Sequence, residues 1–301
     1  MTDFILNGVN YRFIRHLTTG GTSSVRLFFD EAEFREVCVK FLKNDMDRAN
    51  IDNEISVLEK IRKIPELSYC TPQLYNHGEL NGVISKKYKY AIVTNYIKGK
   101  ELLSNYVKLR SAEKIKVFRE LVKIVSLLHK NNIIHADIKL ENIIYNRKGI
   151  SLIDFGSSQL LDDGSDGVVI SPTSFITTFY ISPIDFLYKK YADSSDDEAS
   201  DESTSSGDTD GHGGEPFIMK KSFDVWSVGV CYACMFEHPE PVYKQKPSKS
   251  TRYYFYNEEY VPFSYNPEHT TSPYYSVLNK IFIEDEEDRI DIDELDRIIN
   301  M

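Results

Sequence analysis

Two short stretches constrain this chain more than anything else in it. Ile133-Ile134-His135-Ala136-Asp137-Ile138-Lys139-Leu140-Glu141-Asn142 is the first, and Asp154-Phe155-Gly156, beginning twelve residues after Asn142, is the second. Both set polar groups into an otherwise apolar environment. Upstream, Ile115, Phe118, Val122, Val125 and Leu128 recur at three- and four-residue steps, which predicts a helix with one apolar face. Between the stretches, Asn142–Tyr145 and Ile150–Ile153 read as strands around Asn146-Arg147-Lys148-Gly149, a hairpin-turn composition. Asp137, Lys139, Asn142 and Asp154 are therefore carried on loops held by a helix and strands, the usual way to build a positioned site.

The chemistry these groups suit is phosphoryl transfer. A carboxylate can orient a hydroxyl nucleophile and an ammonium can neutralise a moving phosphate. An amide plus a second carboxylate offer hard oxygen ligands for Mg²⁺. At this point the chain resembles the eukaryotic-type protein kinases, whose catalytic loop reads His-Arg-Asp-x-Lys-x-x-Asn and whose metal loop reads Asp-Phe-Gly. The resemblance implies an α+β, two-lobed protein-kinase-like fold. Residues 1–97 would be a small β-rich lobe and residues 98–301 a larger, mainly helical one. It also implies ATP and Mg²⁺, and a protein substrate with a Ser/Thr acceptor. Asp137 and Lys139 would be catalytic, and Asn142 and Asp154 would hold the metal. Lys139, two residues after the catalytic aspartate, is the serine/threonine signature of the family.

Further correspondences run nearly the length of the chain. Leu17 to Val25 is the expected phosphate cover, where small residues let backbone N–H groups approach phosphate oxygens. Gly20 and Val25 match the family's pattern, with Gly21 beside them, but Thr18 and Ser23 stand where the outer glycines would be. Lys40 ends the apolar strand Val37-Cys38-Val39 and matches the lysine that holds the α- and β-phosphates. Its implied acid is Glu54, which heads the apolar face Ile51, Ile55, Leu58 and Ile61; Glu59 is the alternative. Tyr90–Gly99 resembles the hinge, with adenine contacts from the carbonyl of Asn95 and the N–H of Ile97, and with Thr94 as a small gatekeeper. Glu101 matches the ribose-contacting acid, and Val25, Cys38 and Ile144 would sandwich the adenine.

Two departures bear on regulation. Ala136 replaces the arginine that normally meets an activation-segment phosphate, which implies activity without phosphorylation there. Thr177–Pro183 resembles the end of an activation segment, yet Ile184 stands where a glutamate usually follows, with Asp185 next. Arg289 matches the arginine that would pair with that acid. Ser222–Val230 is similar to Asp-x-Trp-Ser-x-Gly, where the acid, here Asp224, anchors the catalytic-loop backbone.

Composition supplies the bounds. The 301 residues carry a net charge of −10 and are 41% hydrophobic, enough for a sizeable core. Residues 192–216 hold nine acidic residues and no Lys or Arg, so they read as a disordered acidic insert and the remainder is near neutral. That balance gives no support for nucleic-acid binding. No run of twenty apolar residues and no basic-then-apolar N-terminus is present, so neither membrane span nor signal peptide is expected. Cys231 and Cys234 have Cys-x-x-Cys spacing but lie in an apolar run, and read as packing thiols. The four scattered cysteines suit a reducing, intracellular location, cytoplasmic or nuclear. Compact size and an Ile/Asn/Tyr-rich style resemble kinases of large DNA viruses or reduced parasites. Two other readings share parts of the pattern: a pseudokinase scaffold, which the altered glycines would suit, and a small-molecule kinase of the aminoglycoside or choline type.

Overall fold

Asn7 and Gly8 both hold positive φ, 50° and 82°, the geometry that matches a tight hairpin to the twist of its strands. Phe4–Leu6 (β1) therefore folds back antiparallel on Val9–Thr19 (β2), with Phe4 opposite Tyr11. The computed structural model describes residues 3–21, 23–80, 87–170, 217–237, 275–283 and 285–301. Thr22, the Thr177–Pro183 segment with Ile184 and Asp185, the acidic stretch 192–216 and the aromatic run Tyr253–Tyr256 lie outside the described residues.

By internal contact the chain divides into two units, residues 1–104 with 141–159, and residues 105–140 with 160–301. The first unit thus takes residues 98–104 and 141–159 as well as the residues before 98. Pairing of short strands accounts for this.

The first unit is built on a six-stranded antiparallel sheet in the order β1-β2-β3-β4-β6-β5. Its remaining strands are Ser23–Asp30 (β3), Arg35–Lys43 (β4), Leu74–Glu79 (β5) and Tyr88–Asn95 (β6). Alternation along β4 sends Val37, Val39 and Phe41 into a core with Phe4, Phe28 and Val93, and leaves Cys38 and Lys40 on the opposite face. Helix α1, Arg48–Arg62, begins at Asp47, whose side chain accepts from the Ala49 N–H, and buries Ile51, Ile55, Leu58 and Ile61. A second sheet joins Lys100–Glu101 (β7) to the hairpin made, after the short strand Ile133–Ile134 (β8), by Ile143–Asn146 (β9) and Gly149–Leu152 (β10). Asn146 and Gly149 pair directly, so Arg147 and Lys148 alone make the turn. Asn142, expected in the strand, sits one residue earlier in a single 3-10 turn.

The second unit is organised by helix α2, Ser111–Lys130. Its N-cap is Arg110 and Ser111 is the first helical residue. Glu113 reaches back to accept from the Arg110 N–H at 2.9 Å, which satisfies a backbone donor at the start of the helix. Ser222–Glu237 (α3) and Ile292–Asn300 pack against α2, and Tyr275–Ile281 packs against α3. Val225, Trp226, Val228 and Tyr232 of α3 are all buried. Cys231 and Cys234 are buried on the same helix, in agreement with packing. Among the described residues no helix is long and apolar enough to cross a membrane.

Candidate active site

Lys40 is held by two carboxylates. Its Nζ lies 2.7 Å from Glu54 Oε1 and 2.8 Å from Asp154 Oδ1. Strand β4 aims the lysine away from the core, and α1 brings Glu54 to it on a buried face; Glu59 of the same helix is exposed. Burial pulls the Lys40 ammonium down, but the charges of Asp154 and Glu54 outweigh it and hold the ammonium well above the usual lysine range. Asp154 has φ of 64°, uncommon for a residue with a side chain. Gly156 follows at close approach: a Cβ there would lie 2.9 Å from Lys40 Nζ, so a side chain at this position would push the Lys40 ammonium from its place.

These three charges border a cavity of about 560 Å³, within the size range of small-ligand sites. Gly20, Val25, Cys38, Asn95, Ile97, Glu101, Ile144 and Asn142, all singled out from sequence, line it as well, and so does Thr94. Gly21 does not line it; its carbonyl accepts from Lys43 Nζ instead. The lining residues all belong to the first unit. Arg15, Pro72 and Ser104 also line the cavity and carried no site role in the sequence reading, because each looks like an ordinary strand or loop residue. Tyr96 OH accepts from Arg15 Nη2 at 2.9 Å, a link of two residues 81 apart that no local pattern announces.

Asn142 and Asp154 meet one requirement for Mg²⁺: an amide oxygen and a carboxylate on the same cavity wall, both hard donors. Asn142 is buried and its carbonyl accepts from Ile153 N at 2.8 Å, which ties the two ends of the β9–β10 hairpin beside Asp154.

Asp137 and Lys139, the expected catalytic residues, belong to the second unit. Lys139 Nζ lies 2.7 Å from Asp137 Oδ2. The loop itself hangs on Asp224 of α3, which is fully buried. Its Oδ2 accepts from the His135 N–H at 2.8 Å and its Oδ1 from the Ala136 N–H at 2.9 Å. His129 Nε2 completes the set, 2.9 Å from Asp224 Oδ2. Sequence reasoning missed His129, since a histidine in a last helical turn reads as a dipole partner and its true partner is 95 residues away. Arg289 donates to the carbonyls of Ile283 and Ser222 and stacks on Trp226 at 5.0 Å; its expected acid after Pro183 lies outside the described residues.

A family model described as the protein kinase domain matches residues 11–197. The chain belongs to the protein kinase family. Among curated relatives it is 26% identical over 162 residues to a probable serine/threonine-protein kinase KIN1 homolog of Encephalitozoon cuniculi, covering 51% of this chain and 28% of that one. It is 37% identical over 130 residues to the dual specificity protein kinase zak2 of Dictyostelium discoideum, covering 42% and 18%. It is 30% identical over 159 residues to an SNF1-related protein kinase catalytic subunit of Arabidopsis thaliana, covering 52% and 31%. The matches thus span less than a third of the length of each of these relatives. A protein kinase domain implies a two-lobed fold, and the β-rich first unit of this kinase and the helices of its second are of that kind.

Proposed function

We propose that this kinase transfers the γ-phosphoryl group of ATP to serine or threonine residues of protein substrates. The observation that carries the reading is the Lys40–Glu54–Asp154 ion-pair network on the wall of a nucleotide-sized cavity. An isolated lysine on a strand face would reach for solvent. One clamped between two carboxylates is preorganised to meet phosphate oxygens without reorganising as the reaction proceeds.

In this reading the hydroxyl oxygen of the substrate forms a bond to the γ-phosphorus while the bond to the β–γ bridging oxygen breaks, and ADP leaves with that electron pair. Asp137 orients the hydroxyl and takes its proton late in the step. Lys139 steadies the γ-phosphoryl oxygens, and Lys40 orients the α- and β-phosphates. Asn95 and Ile97 offer main-chain groups to the adenine, Glu101 its carboxylate to the ribose, and Val25, Cys38 and Ile144 their apolar faces to the ring. Mg²⁺, held by Asn142 and Asp154, would supply charge neutralisation on the phosphates.

The names of the relatives support a protein rather than a metabolite acceptor, and the Asp224 anchor to the catalytic loop suits the same choice. The test is incubation with Mg²⁺, labelled ATP and a degenerate peptide library, beside Asp137→Asn. Transfer to Ser/Thr peptides is expected, falling by about a thousandfold or more in the variant. Equal labelling by both proteins, or labelling of amino-alcohol metabolites alone, contradicts the reading.

A further inference from the structure

Helix α1 grips the Asp154–Ser158 loop at both ends. Glu54 holds its start through Lys40. The preceding residue, Asn53, holds its end: Asn53 Nδ2 donates to the Ser158 carbonyl at 2.7 Å. Consecutive helical side chains diverge by about 100°, so one turn of α1 can address two separate points of a loop that wraps it. Ser158 is a sound point to hold. It is fully buried, and its N–H donates to the Phe155 carbonyl at 3.2 Å, which closes the turn Phe155–Ser158 immediately after Asp154. Asp154 in turn has left-handed backbone, a conformation that persists where the surroundings enforce it.

We propose that Asn53 is a positioning residue for Asp154. By pinning the Ser158 carbonyl to α1 it fixes the turn that presents the Asp154 carboxylate to the cavity. The metal part of this proposal rests on the nucleotide reading above; the pinning of Ser158 does not.

Asn53→Asp keeps the shape and removes the donor, and Asn53→Ala removes the group altogether. Two measurements are made on each full-length variant. Amide hydrogen exchange across 154–160 in nucleotide-free protein is expected to accelerate about tenfold, the loss of one hydrogen bond, with β3 and β4 unchanged. Calorimetric affinity for ADP is expected to lose about tenfold of its Mg²⁺-dependent gain, while the affinity without Mg²⁺ stays within about twofold. Unchanged exchange in both variants overturns the proposal. So does an equal fall of the two ADP affinities, which would mean that Asn53 merely supports the fold. A wild-type protein that binds no ADP overturns the nucleotide reading instead, and the exchange comparison then still decides whether Asn53 pins Ser158.

Discussion

Cys38 stands two residues before Lys40 on the same face of β4, opposite Thr94 of β6. Burial pushes its thiol up to about 12, and the Lys40 ammonium only partly opposes that rise. A raised value keeps the proton on sulfur at neutral pH, so the nucleophilic thiolate is scarce. Alkylation of Cys38 by iodoacetamide at pH 8 is therefore expected to run roughly three orders of magnitude slower than that of an unhindered cysteine, and to quicken as pH rises toward that value. Mass spectrometry of the Cys38 peptide against time measures it; a rate within tenfold of free cysteine contradicts the expected burial. At this scale the sequence is legible where residue type and chemistry coincide. A lysine closing an apolar strand and a carboxylate before Phe-Gly are unusual enough to be noticed. His129 and Asn53 are not, because each is an ordinary helical polar residue until the chain brings Asp224 or Ser158 to it.

Among the elements, the hairpin of Gly167–Ile170 with Phe217–Lys220 has the most to say about regulation. Ile170 pairs with Phe217, so the chain leaves for residues 171–216 and returns at one rung of a ladder. Ile170 and Met219 of that hairpin pack in one buried cluster with Ala136, Ile134, Leu161 and Phe223. A small apolar residue thus occupies the position that resemblance assigns to a phosphate-seeking arginine, and beside it the paired strands are held by apolar packing, with Lys220 at their far end ion-paired to Glu286. Phosphatase-treated protein is expected to keep its peptide-kinase activity within about twofold, since hydrophobic contacts do not depend on a phosphate. Ala136→Arg is expected to destabilise the second unit by about 3 kcal/mol, through a cation forced into an apolar cluster. A phosphatase-treated preparation that is inactive until residues 157–183 are phosphorylated contradicts the first outcome, and an unshifted denaturation midpoint contradicts the second. Helix α2 and the β9–β10 hairpin were readable from period and turn composition. The hairpin built on Met219 was not, because its two strands are short and lie almost fifty residues apart.

For the whole molecule, charge is the informative quantity. Residues 192–216 carry nine of the acidic side chains and no basic ones, so their excision takes the net charge from −10 to −1. A stretch of that composition has little apolar surface with which to stabilise a core. A chain lacking 192–216 is expected to melt within about 2 °C of the intact one, and to keep its activity on neutral peptides. A fall of 10 °C or more, read by calorimetry, would show that the acidic stretch contributes to the folded structure.

Residue order alone pointed to the family, the α+β character and Lys40, Asn142 and Asp154 as candidates for one site, because phosphoryl chemistry admits few side chains and the motifs keep them at fixed spacing. Tertiary structure decided the rest. It chose Glu54 over Glu59, moved residues 141–159 into the first unit, set His129 on Asp224, and drew Asn53 to Ser158. Each of these joins groups far apart in sequence by burial and hydrogen bonding, and such pairings exist only once the chain has closed on itself.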